Sequence, residues 1–209
     1  MKNSSCNIFS VSPRPLLIVL SGCSGVGKDT ALDKLKESGC PLRHVITITT
    51  RPPRPNEVQG IHYHFISEDT FQEMKGNNEL LEWAQVYGKW YGVPREPIRQ
   101  AMAQGHDTII KVDIQGAATI KKKVPQAVFI FLLPASMDEL GQRLSRRKTE
   151  TLSEMALRLE LADEEMKQLH LFDYVVYNKE GEIDAAVNQI KAIITAEKSR
   201  VRQREIILG

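Results

Sequence analysis

SGCSGVGKDT, residues 21–30, is the stretch on which the fold turns. Its glycines and lysine fit G-x-x-x-x-G-K, a phosphate-cradling loop, and its surroundings fit as well. The apolar run PLLIVL (residues 15–20) precedes it and the helical pattern KDTALDKLKES (residues 28–38) follows, with Ala31, Leu32 and Leu35 on one face. A passage from buried strand to helix aims backbone N–H groups and a helix N-terminus at an anion. Gly22, Gly25 and Gly27 permit the left-handed turns that wrap a phosphate. Cys23, Ser24, Val26 and Thr30 complete the expected loop, and Lys28 would reach the β- and γ-phosphates. Asp29 stands where such a loop ordinarily carries a Ser or Thr hydroxyl. A carboxylate beside a polyphosphate is repulsive unless a cation intervenes. That cation is either Mg²⁺, held by Asp29 directly or through water, or Lys111. Alternatively Asp29 only favours the helix dipole from the first turn. Cys23, near a helix N-terminus and Lys28, is either a reactive thiol of lowered pKa or an inert filler of the turn.

Outward from the loop, apolar β-rich runs alternate with amphipathic helical stretches. That order predicts an α/β fold with a mainly parallel sheet flanked by helices, as in P-loop NTPases. HVITIT (44–49), DTIIKV (107–112), AVFIFLL (127–133) and DYVVYN (173–178) are the other expected core strands. Ser136 with Glu139, and Thr151 with Glu154, are spaced as capping boxes that start two helices. Between HVITIT and REPIRQAMAQG the texture changes. TTRPPRPNEVQG is rich in Pro and turn formers, IHYHFIS alternates, and LLEWAQVYGKWYGV reads as a hairpin turning at Gly88-Lys89. This is a small mixed or antiparallel insert. A second, highly charged insert begins near Arg143.

Composition narrows the classes. With 209 residues, 42% of them hydrophobic, the chain suits one domain carrying inserts. A net charge of +2 gives no call for nucleic acid, and the basic KKK (121–123) and KSRVRQR (198–204) read as solvated helix faces. The longest apolar runs are too short to span a bilayer. Residues 1–14 lack a signal-peptide core and read as a flexible extension. Three cysteines without metal-type spacing suggest reduced thiols in the cytoplasm.

A phosphate loop leaves the chemistry open. A GTPase would need D-x-x-G and N-K-x-D, and the chain offers DIQG (113–116) and NKEG (178–181), the second lacking the carboxylate that reads guanine. A nucleoside monophosphate kinase needs a second nucleotide pocket and a charge-neutralising lid, which the two inserts can supply. Here the residues become recognisable. TTRPPRPNEVQGIHYHF, LLEWAQVYGKWYG, KVDIQG, and RLSRRKTET followed by RLELA resemble guanylate kinase over roughly residues 16–198. The TTRxPRxxEVxGxxYxF run is highly specific.

Arg51 and Arg54, three apart on a Pro-stiffened segment, suit bidentate contact with an acceptor phosphate, and Tyr63 and Tyr91 can add hydroxyl donors. The resemblance assigns all four to the GMP phosphate. It likewise implies Glu82 as the guanine-reading carboxylate, Thr47 as a hydroxyl contact and Asp113 as a base or metal contact. It implies Arg143, Arg147 and Arg158 as lid arginines that cover the polyphosphate, with Arg146 an alternative to Arg147 because SRRKTE departs from the usual Gly-Arg-Gly. Asn178 is expected near the adenine of ATP. The implied organisation is a core (15–46, 96–140, 161–209), a GMP-binding insert (47–95) and a lid (141–160). The implied reaction is Mg²⁺-dependent transfer from ATP to GMP or dGMP, by a monomer or homodimer, without nucleic acid or membrane.

Three positions depart from the family pattern: Asp29, Lys111 in place of an Asp, and Val93 in place of a small hydroxylated residue. A catalytically inactive binding module would tolerate such losses. It would also be expected to lose Lys28, Arg51, Arg54 and the lid arginines, and these are kept. The first two departures look reciprocal, a carboxylate gained and a carboxylate turned to lysine.

Overall fold

The buried run after Pro15 forms β1 (Leu17–Gly22), the middle strand of a five-stranded, wholly parallel sheet. It lies between β7 (Asp107–Lys111) and β8 (Val128–Leu133), with β2 (Leu42–Val45) and β9 (Tyr174–Tyr177) at the edges. This computed structural model describes residues 13–86, 88–146, 162 and 164–208. Arg147, Arg158, Thr151 and most of the expected extension and lid lie outside them.

A strand with helices on both faces must be apolar on both, which is why LLIVL shows no alternation. Ile18 and Leu20 pack with Ala31, Leu32 and Leu35 of α1 (Lys28–Glu37) and with Ile190 and Ile194 of α6 (Ile183–Lys198). Leu17 and Val19 face the other way, onto Ile98 of α3 (Arg95–Ala103) and Ala117 and Ile120 of α4 (Ile114–Lys123). Ser136 caps α5 (Met137–Arg146) by accepting from the Glu139 amide at 3.1 Å. The Glu139 carboxylate does not complete the box; it pairs with Arg143 instead.

HVITIT, expected as one core strand, is two. β2 ends at Val45, and β3 (Ile48–Thr49) belongs to a second sheet of order β4-β3-β6-β5. The break falls at Thr47, a buried residue whose Oγ1 donates to the Lys111 carbonyl at 3.3 Å, at the end of β7. The second sheet is mixed: β3 runs parallel to β4 (His64–Phe65) and antiparallel to β6 (Lys89–Pro94), which pairs with β5 (Leu80–Val86) as a hairpin. Val86 pairs with Lys89, so β6 begins at Lys89, one residue into the expected turn, after Gly88 at φ 73°. Phe71 of α2 (Glu68–Gly76) is buried beneath this sheet and stacks on Trp90, ring centroids 5.7 Å apart. Val93 is buried in the main core, so the missing hydroxyl there is replaced by packing.

Candidate active site

A cleft of about 410 Å³ opens at the carboxyl ends of β1 and β7, between the phosphate-loop sequence and the small sheet. On the loop side, Gly22 approaches β8 so closely that a Cβ would lie 2.4 Å from the Leu132 carbonyl oxygen. Gly27, at φ 96°, caps α1. Gly22, Ser24, Gly25, Gly27, Lys28 and Asp29 line the cleft, whereas Thr30 is exposed on α1 and does not. Lys28 Nζ donates to the carbonyls of Gly22 (2.5 Å) and Cys23 (3.1 Å), spanning the loop it closes. Burial lowers its pKa, and the carboxylates of Glu165 and Asp29 work against that shift.

Cys23 points away from the cleft. Its side chain is buried among Ile114, Phe131, Leu140 and Leu144, and burial, with Glu165 adding to it, pushes the thiol up to about 12. Of the two readings of Cys23, this burial favours the inert filler of the turn: desolvation outweighs the helix terminus and Lys28. Iodoacetamide at pH 8 should leave activity intact over the time in which an exposed thiol is consumed. Rapid inactivation that Cys23→Ser abolishes would contradict this burial.

Arg143 and Asn178 brace the loop from behind and do not line the cleft. Arg143 Nη1 (3.0 Å) and Asn178 Nδ2 (2.7 Å) both donate to the Val26 carbonyl, and Arg143 Nη2 donates to the Asn178 carbonyl at 2.7 Å. Arg147 and Arg158 lie outside the described residues, as does the Arg146 side chain.

The acceptor side is built on the small sheet and the turn-rich segment before β4. Arg51 makes a bidentate pair with Glu57, both contacts 2.6 Å, and its Nε donates to the Tyr91 hydroxyl at 3.1 Å. Its guanidinium also sits 5.0 Å from the Tyr63 ring centroid. Arg54 is exposed at the rim and lines the same cleft. Deeper in, Glu82 of β5 is 3% exposed, pressed against Gly116, where a Cβ would lie 2.8 Å from Glu82 Oε1. Burial, then the Asp113 charge, raises the Glu82 carboxyl to about 8, against partial opposition from Lys123. Asp113 caps α4 by accepting from the Gly116 amide at 2.8 Å, and burial raises its pKa. Thr47 lines the cleft beside them. A buried carboxyl of raised pKa facing a cavity is a candidate binding group.

Lys111, at the end of β7, forms an ion pair with Asp29 across the loop. Lys111 is 6% exposed and Asp29 59%, so the pair joins a buried ammonium to a solvated carboxylate. Burial pulls the Lys111 pKa down, but Asp29 and Tyr63 outweigh it and the net direction is up. The contact is the one that the lysine reading of Asp29 expects. Nearby, burial and then the Lys111 charge push His44 down to about 4, which keeps its imidazole neutral.

Sequence reasoning passed over Glu57 and Glu165. Glu57 lay inside the quoted PRPNEVQG but carried no role there. Glu165 comes from the helical residues 164–166 and lines the cleft beside Lys28. Among the described residues no cluster of three or more His, Cys, Asp or Glu could hold a metal alone. Asp29 and Asp113 beside a phosphate loop do fit Mg²⁺, which takes one or two carboxylates and the rest of its ligands from phosphates and water. No helix among the described residues is long and apolar enough to cross a membrane.

Comparison with known proteins identifies the family. The sequence profile of the family described as guanylate kinase matches residues 14–197. A guanylate kinase of Desulfitobacterium hafniense is 44% identical over 92% of this chain and 95% of its own. The chloroplastic/mitochondrial guanylate kinase 2 of rice is 45% identical over 93% of this chain and 68% of its own. The crystal structure of a guanylate kinase from Anaplasma phagocytophilum superposes with a TM-score of 0.74 at 29% identity, covering 90% of this chain and 89% of that one.

Proposed function

This chain belongs to the guanylate kinase family and is an ATP:GMP phosphotransferase, and from that premise we propose which of its residues carry the reaction. A GMP phosphate oxygen attacks the γ-phosphorus of ATP, the bond to the β-phosphate oxygen breaks, and ADP leaves as GDP forms. The observation that supports the assignment is one cleft lined by the glycine-rich loop with Lys28 and by Arg51 and Arg54, with the buried Glu82 carboxyl among its lining.

The loop amides of residues 22–27 and Lys28 hold the donor phosphates. Arg51, Arg54, Tyr63 and Tyr91 hold the acceptor phosphate. Glu82 takes the guanine N1 and N2 donors, with Thr47 and Asp113 at the base edge. A base lacking those donors leaves a buried carboxyl unmatched, which is the physical ground of the preference for guanine. Arg143 and Asn178 act through the Val26 carbonyl, fixing the loop, while Arg147 (or Arg146) and Arg158 cover the polyphosphate. Mg²⁺, held by phosphate oxygens with Asp29 or Asp113, would neutralise charge on the polyphosphate. The insert 47–95 and the lid 141–160 close over the core and exclude water. Cys23 and Cys40 are free thiols, which suits the cytoplasm, the location we propose.

The GTPase reading is not favoured: Asp113 caps a helix and Asn178 holds the loop, so both motif fragments have structural work. A coupled assay of ATP with GMP, AMP, CMP and UMP in turn tests the assignment. ADP should form with GMP alone; equal rates with AMP would remove Glu82 from the base site.

The ion pair across the loop makes a further expectation. Asp29→Ser strands the buried Lys111, and Lys111→Asp crowds a third carboxylate against Asp29 and Asp113. The double variant restores one acidic and one hydroxyl side chain and should recover much of the lost kcat/KM for MgATP. Coupling of about 0.5–3 kcal/mol is expected for neighbours of this kind. Strictly additive losses, measured at several Mg²⁺ concentrations, would mean the two positions act separately.

A further inference from the structure

We infer that Lys111 is itself a substrate-contacting residue, an ammonium that leaves Asp29 to bind the acceptor phosphate. Two observations of placement carry this. Lys111 Nζ lies 4.3 Å from the centroid of the Tyr63 ring, and the same ring has the Arg51 guanidinium 5.0 Å from its centroid. One aromatic side chain thus has both cations over its ring, one tied to each half of the cleft. Lys111 also lines the cleft, together with Asp29, Arg51 and Tyr63.

The charge arrangement gives the direction. The ammonium is almost wholly buried while its partner carboxylate is mostly solvated. Asp29 loses little on returning to water because it is already mostly solvated, whereas the buried ammonium needs another anionic partner. A buried ammonium gains far more from a dianionic phosphate than from a solvent-screened carboxylate. An entering phosphate therefore wins the exchange, and the lysine brings to the acceptor a positive charge that belongs to the protein. The flexible four-carbon stem makes the transfer possible without moving β7.

This rests on the assignment of Arg51 and Tyr63 to the acceptor phosphate, and the test separates the two. Binding of GMP and of guanosine to the full chain is measured by calorimetry without Mg²⁺ or ATP, so that only acceptor contacts are read. Lys111→Met keeps the length and removes the charge, and leaves Asp29 to solvent, so the fold should persist; a melting curve checks this. GMP affinity should fall about tenfold or more, as for loss of a charge-assisted hydrogen bond, with guanosine affinity unchanged. Lys111→Arg should retain most of the GMP affinity. Asp29→Asn removes the competing carboxylate and should tighten GMP severalfold.

Unchanged GMP affinity in Lys111→Met overturns the proposal, as does an equal loss for GMP and guanosine, which would make Lys111 a support of the pocket. A loss confined to ATP in a parallel titration overturns it too, placing the ammonium on the donor. If Arg51→Ala also leaves the preference for GMP over guanosine intact, the acceptor-site assignment has failed, and not the lysine alone.

Discussion

Lys28→Met should lower kcat/KM for MgATP by about 10²–10³-fold, the loss seen when one preorganised donor to developing charge is removed. The lysine spans the loop through the Gly22 and Cys23 carbonyls, so its ammonium is placed before nucleotide arrives and needs little reorganisation to reach the phosphates. Carbonyls facing a cleft can take water as donor instead, so stability should change far less than activity. Steady-state kinetics beside a thermal melt distinguish the two effects. A fall smaller than tenfold with an unchanged melting temperature would mean that the loop does not hold the donor phosphates.

Glu82→Gln should reduce kcat/KM for GMP at least tenfold while leaving KM for ATP nearly unchanged. The substitution turns one acceptor into a donor facing guanine donors, and loss of a charged buried contact costs about 1.5–3 kcal/mol. The pH dependence is the sharper signature. With its carboxyl raised to about 8 against an ordinary 4.5, Glu82 holds a proton at neutral pH and must release it to accept from guanine. GMP affinity should therefore climb as pH rises toward 8, by at most about tenfold per unit, and level off above it. Stability runs in the opposite sense. The folded chain binds a proton that the unfolded chain gives up, so the contribution is whole below about 4.5 and is lost as pH rises through about 8. Ionisation of the GMP phosphate enters both proteins equally, so the difference between wild type and Glu82→Gln isolates this group. Parallel pH profiles would remove Glu82 from the base site.

What the sequence revealed was governed by how local the physics is. The loop was legible because strand, glycines and helix are consecutive and each needs its residue type where it stands. The core strands were legible because a sheet covered on both faces demands unbroken apolar runs. HVITIT misled for the same reason: two strands in different sheets, both buried, read as one. Only the long-range bond from Thr47 to the end of β7 reveals the break. Cys23 stayed open between two readings because helix terminus and Lys28 are visible in sequence and burial is not. Asp29 and Lys111, 82 positions apart, were found through opposite charge changes at positions that ought to meet. Glu165 had no such signal, since its approach to the loop depends on packing remote in sequence.

The Arg51–Glu57 pair carries a consequence for selectivity. All three guanidinium nitrogens are already engaged, Nε by Tyr91 and the other two by Glu57. If the acceptor phosphate binds at Arg51 as proposed, a bidentate contact through the two terminal nitrogens has to compete with Glu57, and the affinity is measured against that carboxylate. A lone sulfate or inorganic phosphate gains only slightly over the carboxylate it evicts. A nucleotide whose base is gripped simultaneously at Glu82 has the surplus to complete the swap. On that assignment the resident carboxylate sets a threshold that a phosphate tethered to a bound base passes more readily than a free one.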